Sequence, residues 1–197
     1  MPTGYALHDP RHQLVAAAER ILLRDGSSGL TGRAVTAEAG VAKGVLHRHF
    51  ADFDTFVAHL VNERIRGFQQ VAEDLTSRTG QATVSGNVAA ALSELLDPVV
   101  LALVPQIIAH HEIRSRIAPN ERLGPPLLSD ATAVVQDYLA REQHRGRITA
   151  TADLGTTAMS VIATAYLLLA GELGALPTAD AILEVTESIL VGIERNP

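Results

Sequence analysis

The chain has 197 residues, 47% of them hydrophobic and only 4% aromatic, which suits one or two domains with a sizeable core. It contains no cysteine, which excludes a disulfide framework, a cysteine-ligated zinc finger and thiol redox sensing. The formal charge of -6 excludes a globally basic nucleic-acid wrapper, yet residues 1–66 hold eight Arg/Lys against seven acids, so a +1 head precedes a body that carries -7.

Abundant Ala and Leu favour helices, because these side chains lose little freedom there. Asp9-Pro10 reads as an N-cap followed by proline at the first helical position, where its missing N–H costs nothing. Leu14, Ala18, Ile21 and Leu22 continue the helical spacing to Arg24, and Gly26 and Gly29 stop it. Residues 1–8 precede the cap as an arm; with Asp9 and Arg11 close behind and no apolar signal core, a cytoplasmic location is expected.

Thr31 caps a second, short helix with Val35 and Ala39 inward, and Gly40 supplies a left-handed stop. Lys43 to Phe50 forms a third helix, with Leu46 and Phe50 on one face and Lys43, Gly44, His47 and Arg48 mostly on the other. Apolar residues inward and small or basic residues outward are what insertion into a major groove requires. Glycine inside a helix costs roughly 0.5 to 1 kcal/mol relative to alanine, so Gly44 points to fraying, tight packing or close approach of DNA.

Asp52 caps a long fourth helix, with Phe56, Val57, Leu60 and Val61 inward, that ends near Leu75 or Arg78 before Thr79-Gly80. Val84 to Gly86 reads as loop and Val88 to Leu96 as helix. Asp97-Pro98 restarts a helix into the apolar run Val99 to Ile108, which Pro105 should kink or divide. His110-His111-Glu112 and a polar stretch to Pro119 follow. After Gly124-Pro125-Pro126 come helices over Leu127 to Arg141, Ala152 to about Leu173, and Thr178 to about Glu194, the last two joined tightly at Leu176-Pro177. Residues 154–171 carry no formal charge, but Gly155, Thr156, Thr157, Ser160 and Thr164 dilute them and Asp153 and Glu172 flank them, so they read as a buried helix rather than a membrane span.

Gly29-Leu30-Thr31, Arg33, Val35, Ala39-Gly40-Val41, Lys43-Gly44, Leu46, His49-Phe50 and the capped start at Asp52 resemble, without a gap, the head of the tetracycline-repressor (TetR/AcrR-type) family; beyond about residue 60 the resemblance is architectural. It implies an all-α protein of about nine helices. A three-helix helix-turn-helix head over 1–52 would be followed by a helical ligand-binding and dimerisation body over 53–197, with a linker helix from about 53 to 78. It also implies a homodimer built on the last two helices and double-stranded DNA as partner. Thr31 and Arg33 would touch phosphates, Lys43, Gly44 and Arg48 would face the groove, and His47 and His49 the phosphates or groove wall. Two heads would reach grooves about 34 to 36 Å apart, or a multiple, on a palindromic operator.

Three positions depart from the family pattern. Ala42 stands where a capping Ser or Thr is usual, His47 replaces a tyrosine, and Phe53 replaces a phosphate-neutralising lysine between Asp52 and Asp54. A shallow salt dependence of DNA binding is therefore expected. His47 also adds an imidazole that would tighten DNA binding in mild acid. These departures support the rival reading, a helical dimeric interaction or small-molecule-binding protein with weak or lost DNA binding.

A family-like body would place Phe68, Gln106, His110, Tyr138, Met159 and Tyr166 around an unknown small-molecule effector, mostly hydrophobic with a few polar anchors. Val161, Ala165, Leu168 and Leu169, with Ile182, Ile189 and Ile193, form apolar stripes suited to a symmetric four-helix dimer contact or to the chain's own core. His8 and His12 lie four apart but His8 falls in the arm, and His47 and His49 are two apart and cannot readily share an ion. His110 and His111 diverge around a helix, so no metal site and no cofactor is expected. No GxSxG elbow, phosphate loop or HExxH helix occurs, so a regulator rather than an enzyme is expected.

Overall fold

The computed structural model describes residues 9–117, 123–171 and 177–195, and ten α-helices lie among them. They are α1 (Pro10–Gly29), α2 (Gly32–Glu38), α3 (Gly44–His49), α4 (Phe53–Ser77), α5 (Val84–Leu95), α6 (Pro98–Ala109), α7 (His111–Arg116), α8 (Leu128–His144), α9 (Leu154–Leu169) and α10 (Ala179–Leu190). The fold is all-α, as the composition predicts. The arm over 1–8 with His8, the flank at Glu172 and Leu176 lie outside the described residues.

Side-chain caps explain where the helices begin. Asp9, Thr31, Asp153 and Thr178 accept from the backbone N–H groups of Arg11, Ala34, Thr156 and Ala181, donors that an uncapped first turn leaves unsatisfied. The same chemistry corrects one expectation. Thr83 accepts from the N–H of Gly86, so α5 begins at Val84 and the stretch 84–86, read as loop, is its first turn. The helix count also exceeds nine, because extended backbone at His110 separates α6 from α7. At Gly26, φ is 67° and ψ is -165°, and the helical path of α1 breaks where the sequence places its stop.

The chain forms two compact units. The first comprises residues 1–62 and 102–119, the second residues 63–101 and 120–197. Unit one thus holds the helix-turn-helix, the first part of α4 and an inserted segment carrying most of α6 and all of α7. Leu14, Ala18 and Ile21 of α1, Val35 of α2, Leu46 of α3 and Phe56, Val57 and Val61 of α4 are buried there. Phe56 packs edge-on against Phe50 at 5.1 Å between ring centroids and tilts against Phe53 at 5.9 Å.

In unit two, α8 packs along α9, and α10 packs on α5 and α9. Its interior includes one polar corner. Glu142, fully buried, accepts from the Tyr138 hydroxyl at 2.7 Å, the Gly80 N–H at 3.0 Å and the Arg147 guanidinium at 3.2 Å. Tyr138 in turn accepts from the Asn87 amide at 2.9 Å, and Arg147 donates to the Ala82 carbonyl. Among the described residues no single helix is long and apolar enough to cross a membrane; α9, the uncharged stretch, buries Ala158, Val161, Ile162 and Ala165.

Candidate nucleic-acid interface

The helix-turn-helix is shaped by a few local choices. Gly40 turns the chain at φ 66°, a conformation that costs an L side chain about 1 to 2 kcal/mol, and the Val41 N–H then bonds back to the Thr36 carbonyl at 3.0 Å. α1 packs on both α2 and α3. Leu46 and Phe50 point into unit one, which leaves Lys43, Gly44, His47 and Arg48 exposed on the other side of α3. Thr31 and Arg33 are exposed at the start of α2, whereas His49 is only partly so.

Two of these positions acquire a physical explanation. A Cβ built on Gly44 would meet nothing within 4 Å, so tight packing inside the chain does not account for the glycine. The start of α3 has no side-chain cap, consistent with alanine at position 42. Its C-terminal end is better supplied, because Arg11 donates to the His49 carbonyl at 3.1 Å while its guanidinium lies over the Phe50 ring.

The cations of the head fall into two groups. Arg20 and Arg24 both pair with Glu38, at 2.8 and 3.0 Å, and Arg24 also pairs with Asp25 at 2.9 Å. Glu38 is held below its ordinary carboxylate range, first by Arg20 and then by Arg24. Arg33, Lys43 and Arg48, by contrast, make no ion pair or side-chain hydrogen bond among the described residues. The unpaired cations are the ones exposed on α2, on α3 and at its start.

At the start of α4, Asp52 Oδ1 accepts from the Thr55 N–H and hydroxyl, both at 2.8 Å. These bonds, the backbone one first, hold Asp52 below the usual carboxylate range, with smaller help from the charges of Arg116 and His47. Phe53, which the sequence presents as a missing lysine, is a packing residue: a Cβ on Gly32 would lie 3.4 Å from its ring. Arg116 of α7 reaches both neighbouring acids, a contact between residues more than sixty positions apart with no local signature in the sequence.

The six ligand candidates are divided between the units, Gln106 and His110 in unit one and the other four in unit two. Phe68 is buried, Tyr138 is committed to the polar corner, Tyr166 is half-buried and His110 is exposed at the break between α6 and α7. Gln106 lies in unit one and donates to the Ser27 carbonyl at 3.0 Å. Met159 borders a cavity of about 380 Å³ between α8 and α9, lined also by Leu123, Thr132, Gln136, Asp153 and Thr156. Grooves of about 720 and 520 Å³ along α8 share Thr76, Asp137 and Arg141. Of the dimer candidates, Val161, Ala165 and Ile182 are buried within the single chain, while Leu168, Leu169, Ile189 and Ile193 are half-buried. Met159, Leu167 and Val191 are the large apolar residues that α9 and the end of α10 expose.

Residues 14–58 match the model of the bacterial regulatory proteins of the tetR family. No curated protein matches the sequence. Among solved structures, the fold is similar to reduced NemR from E. coli, at a TM-score of 0.71 and 15% identity over 96% of this chain and 99% of that one. It is similar to a gamma-butyrolactone receptor described as ArpA-like, at a TM-score of 0.66 and 18% identity over 94% and 88% of the two chains. It is also similar to the multidrug-binding protein EbrR complexed with ethidium, at a TM-score of 0.64 and 22% identity over 92% and 98%. The family model thus covers the head of the chain, and the likeness to these solved structures extends a shared fold over its full length.

Proposed function

We propose that the protein is a dimeric DNA-binding transcriptional regulator, a repressor that leaves a palindromic operator when a small, mostly hydrophobic molecule binds its body. One observation carries the reading: among the described residues Arg33, Lys43 and Arg48, on and beside the exposed faces of α2 and α3, are unpaired, while Arg20 and Arg24 of α1 are neutralised. An unpaired surface cation is available to a phosphate or base edge, and each phosphate neutralised releases a counterion. The open space over Gly44 lets a DNA backbone or base edge approach α3 closely.

Dimerisation rests on the exposed Met159, Leu167 and Val191 with the half-buried Leu168, Leu169, Ile189 and Ile193; Val161, Ala165 and Ile182 support that face from behind. The likeness of the fold to a multidrug-binding protein and a gamma-butyrolactone receptor supports a small effector. By linkage, such an effector binds the free protein more tightly than the DNA-bound one.

Selection of bound fragments from genomic or random DNA by the purified chain tests the reading. Recovery of a palindrome, with enrichment lost in Lys43→Ala, is expected; no enrichment by the intact chain would favour a helical binding protein without DNA affinity.

A further inference from the structure

We propose that Arg116 of α7 tunes the charge of the DNA-facing side of the head, by bridging Asp52 and Asp54 and offsetting one of their two negative charges. The inference rests on the DNA-binding reading of α2 and α3 and adds a residue that does not itself face DNA.

The two acids border that side. Asp52 is close enough to His47 of α3 for their charges to interact, and Phe53, between the acids, lies against Gly32 in the first turn of α2. Three unpaired cations serve this face, Arg33, Lys43 and Arg48. Two bare carboxylates at its margin would cut the local balance from +3 to +1 and repel phosphates. A single guanidinium between the acids restores one charge, to +2, and occupies an oxygen that the two carboxylates would otherwise turn toward phosphates. Arg116 places Nη2 2.8 Å from Asp52 Oδ2 and Nη1 3.2 Å from Asp54 Oδ2, a two-pronged grip that a planar fork achieves and a lysine ammonium does not. Asp52 divides its labour, with Oδ1 capping α4 and Oδ2 receiving the arginine. Loss of Arg116 would therefore leave the cap in place and the charge bare.

Arg116 is also held deliberately. Ile113 and Ile117 bury their side chains on either side of it. Arg114 donates to the Ile107 and Ile108 carbonyls, at 3.3 and 2.8 Å, and fixes the break between α6 and α7. Gln106 ties the same segment to the end of α1. The segment belongs to unit one, while the chain on both sides of it belongs to unit two. The charge of the head is thus completed by chain that reaches it only by way of the body, and a shift of α7 would unmask both acids.

A mutant cycle on the full-length chain, read by DNA affinity across a salt series, tests this. Arg116→Ala is expected to weaken binding about fivefold to tenfold at low salt, with the deficit closing as salt screens the acids. In an Asp52→Asn/Asp54→Asn background, where the Asn amide oxygen still caps α4, Arg116→Ala is expected to cost nothing. That background with Arg116 intact is expected to bind DNA at least as tightly as the parent, whether or not the alanine variant folds. An equal loss in both backgrounds, a deficit that persists at high salt, or weaker binding by the double Asn variant would overturn the inference. If Lys43→Ala abolishes binding while the cycle shows no coupling, this inference alone fails; if the intact chain enriches no DNA, the reading beneath it falls as well.

Discussion

Guanidinium groups do opposite work in the two units. On the head, Arg33 and Arg48 stand exposed with no partner among the described residues; at the polar corner of unit two, Arg147 is mostly buried and donates to Glu142, Gln81 and Ala82. No buried side-chain nitrogen or oxygen among the described residues lacks a hydrogen-bond partner, so the corner is closed chemistry. The contrast teaches how to separate stability from recognition in this chain. A charge whose partners are complete holds the fold, and a charge left incomplete at the surface is available to something else.

The comparison breaks most visibly at Glu142. Glu142→Ala strands the Arg147 charge, the Tyr138 hydroxyl and the Gly80 N–H, and is expected to lower stability by about 3 to 5 kcal/mol in urea unfolding. A loss under 1 kcal/mol would show that the corner relaxes or takes in water. Next in size, Arg33→Ala and Arg48→Ala are each expected to weaken DNA binding by about 1 to 3 kcal/mol with an unchanged melting temperature. If melting falls in step with affinity, these arginines belong with Arg147.

Gly44→Ala sharpens the distinction, because one substitution should move the two properties in opposite directions. The open space around the site lets alanine stabilise α3 by about 0.5 kcal/mol while the added methyl hinders DNA approach. Equal or tighter DNA binding would remove close approach as the reason for the glycine. The smallest effect concerns acid. Because Glu38 has a folded pKa below its unfolded one, its contribution is present above the unfolded value and is lost as pH falls through the folded value. Glu38→Gln should therefore flatten part of the acid limb of a stability-versus-pH curve and leave neutral-pH DNA binding unchanged; an unaltered limb would mean that the Arg20 and Arg24 pairs are too solvated to matter.

What the sequence reveals follows the range of the interaction involved. The caps at Asp9, Thr31, Asp52 and Thr178, and the left-handed turn at Gly40, are local chemistry, and each is readable within a few residues. Thr83 escaped that reading because Ser85 and Gly86 make a first turn look like a loop. The bond between Tyr138 and Asn87 has no local signal, because the two lie 51 residues apart. Phe53 and its flanking acids read as a weakened DNA grip, since neither Gly32 beneath the ring nor Arg116 across the acids is visible from positions 52–54. The apolar stripe on α9 shows the same limit: periodicity marks Val161 and Ala165 as inward, but only the packed chain shows that they are already covered.

The insertion of residues 102–119 into unit one has a consequence for modularity. A head that could be cut out at one point could be exchanged among relatives as a cassette, carrying its operator preference with it. Here a transplant of residues 1–62 alone would export Asp52 and Asp54 and leave Arg116 behind. A chimera that keeps these ion pairs has to move two stretches of chain at once, and the head with the α6–α7 segment is the unit to engineer.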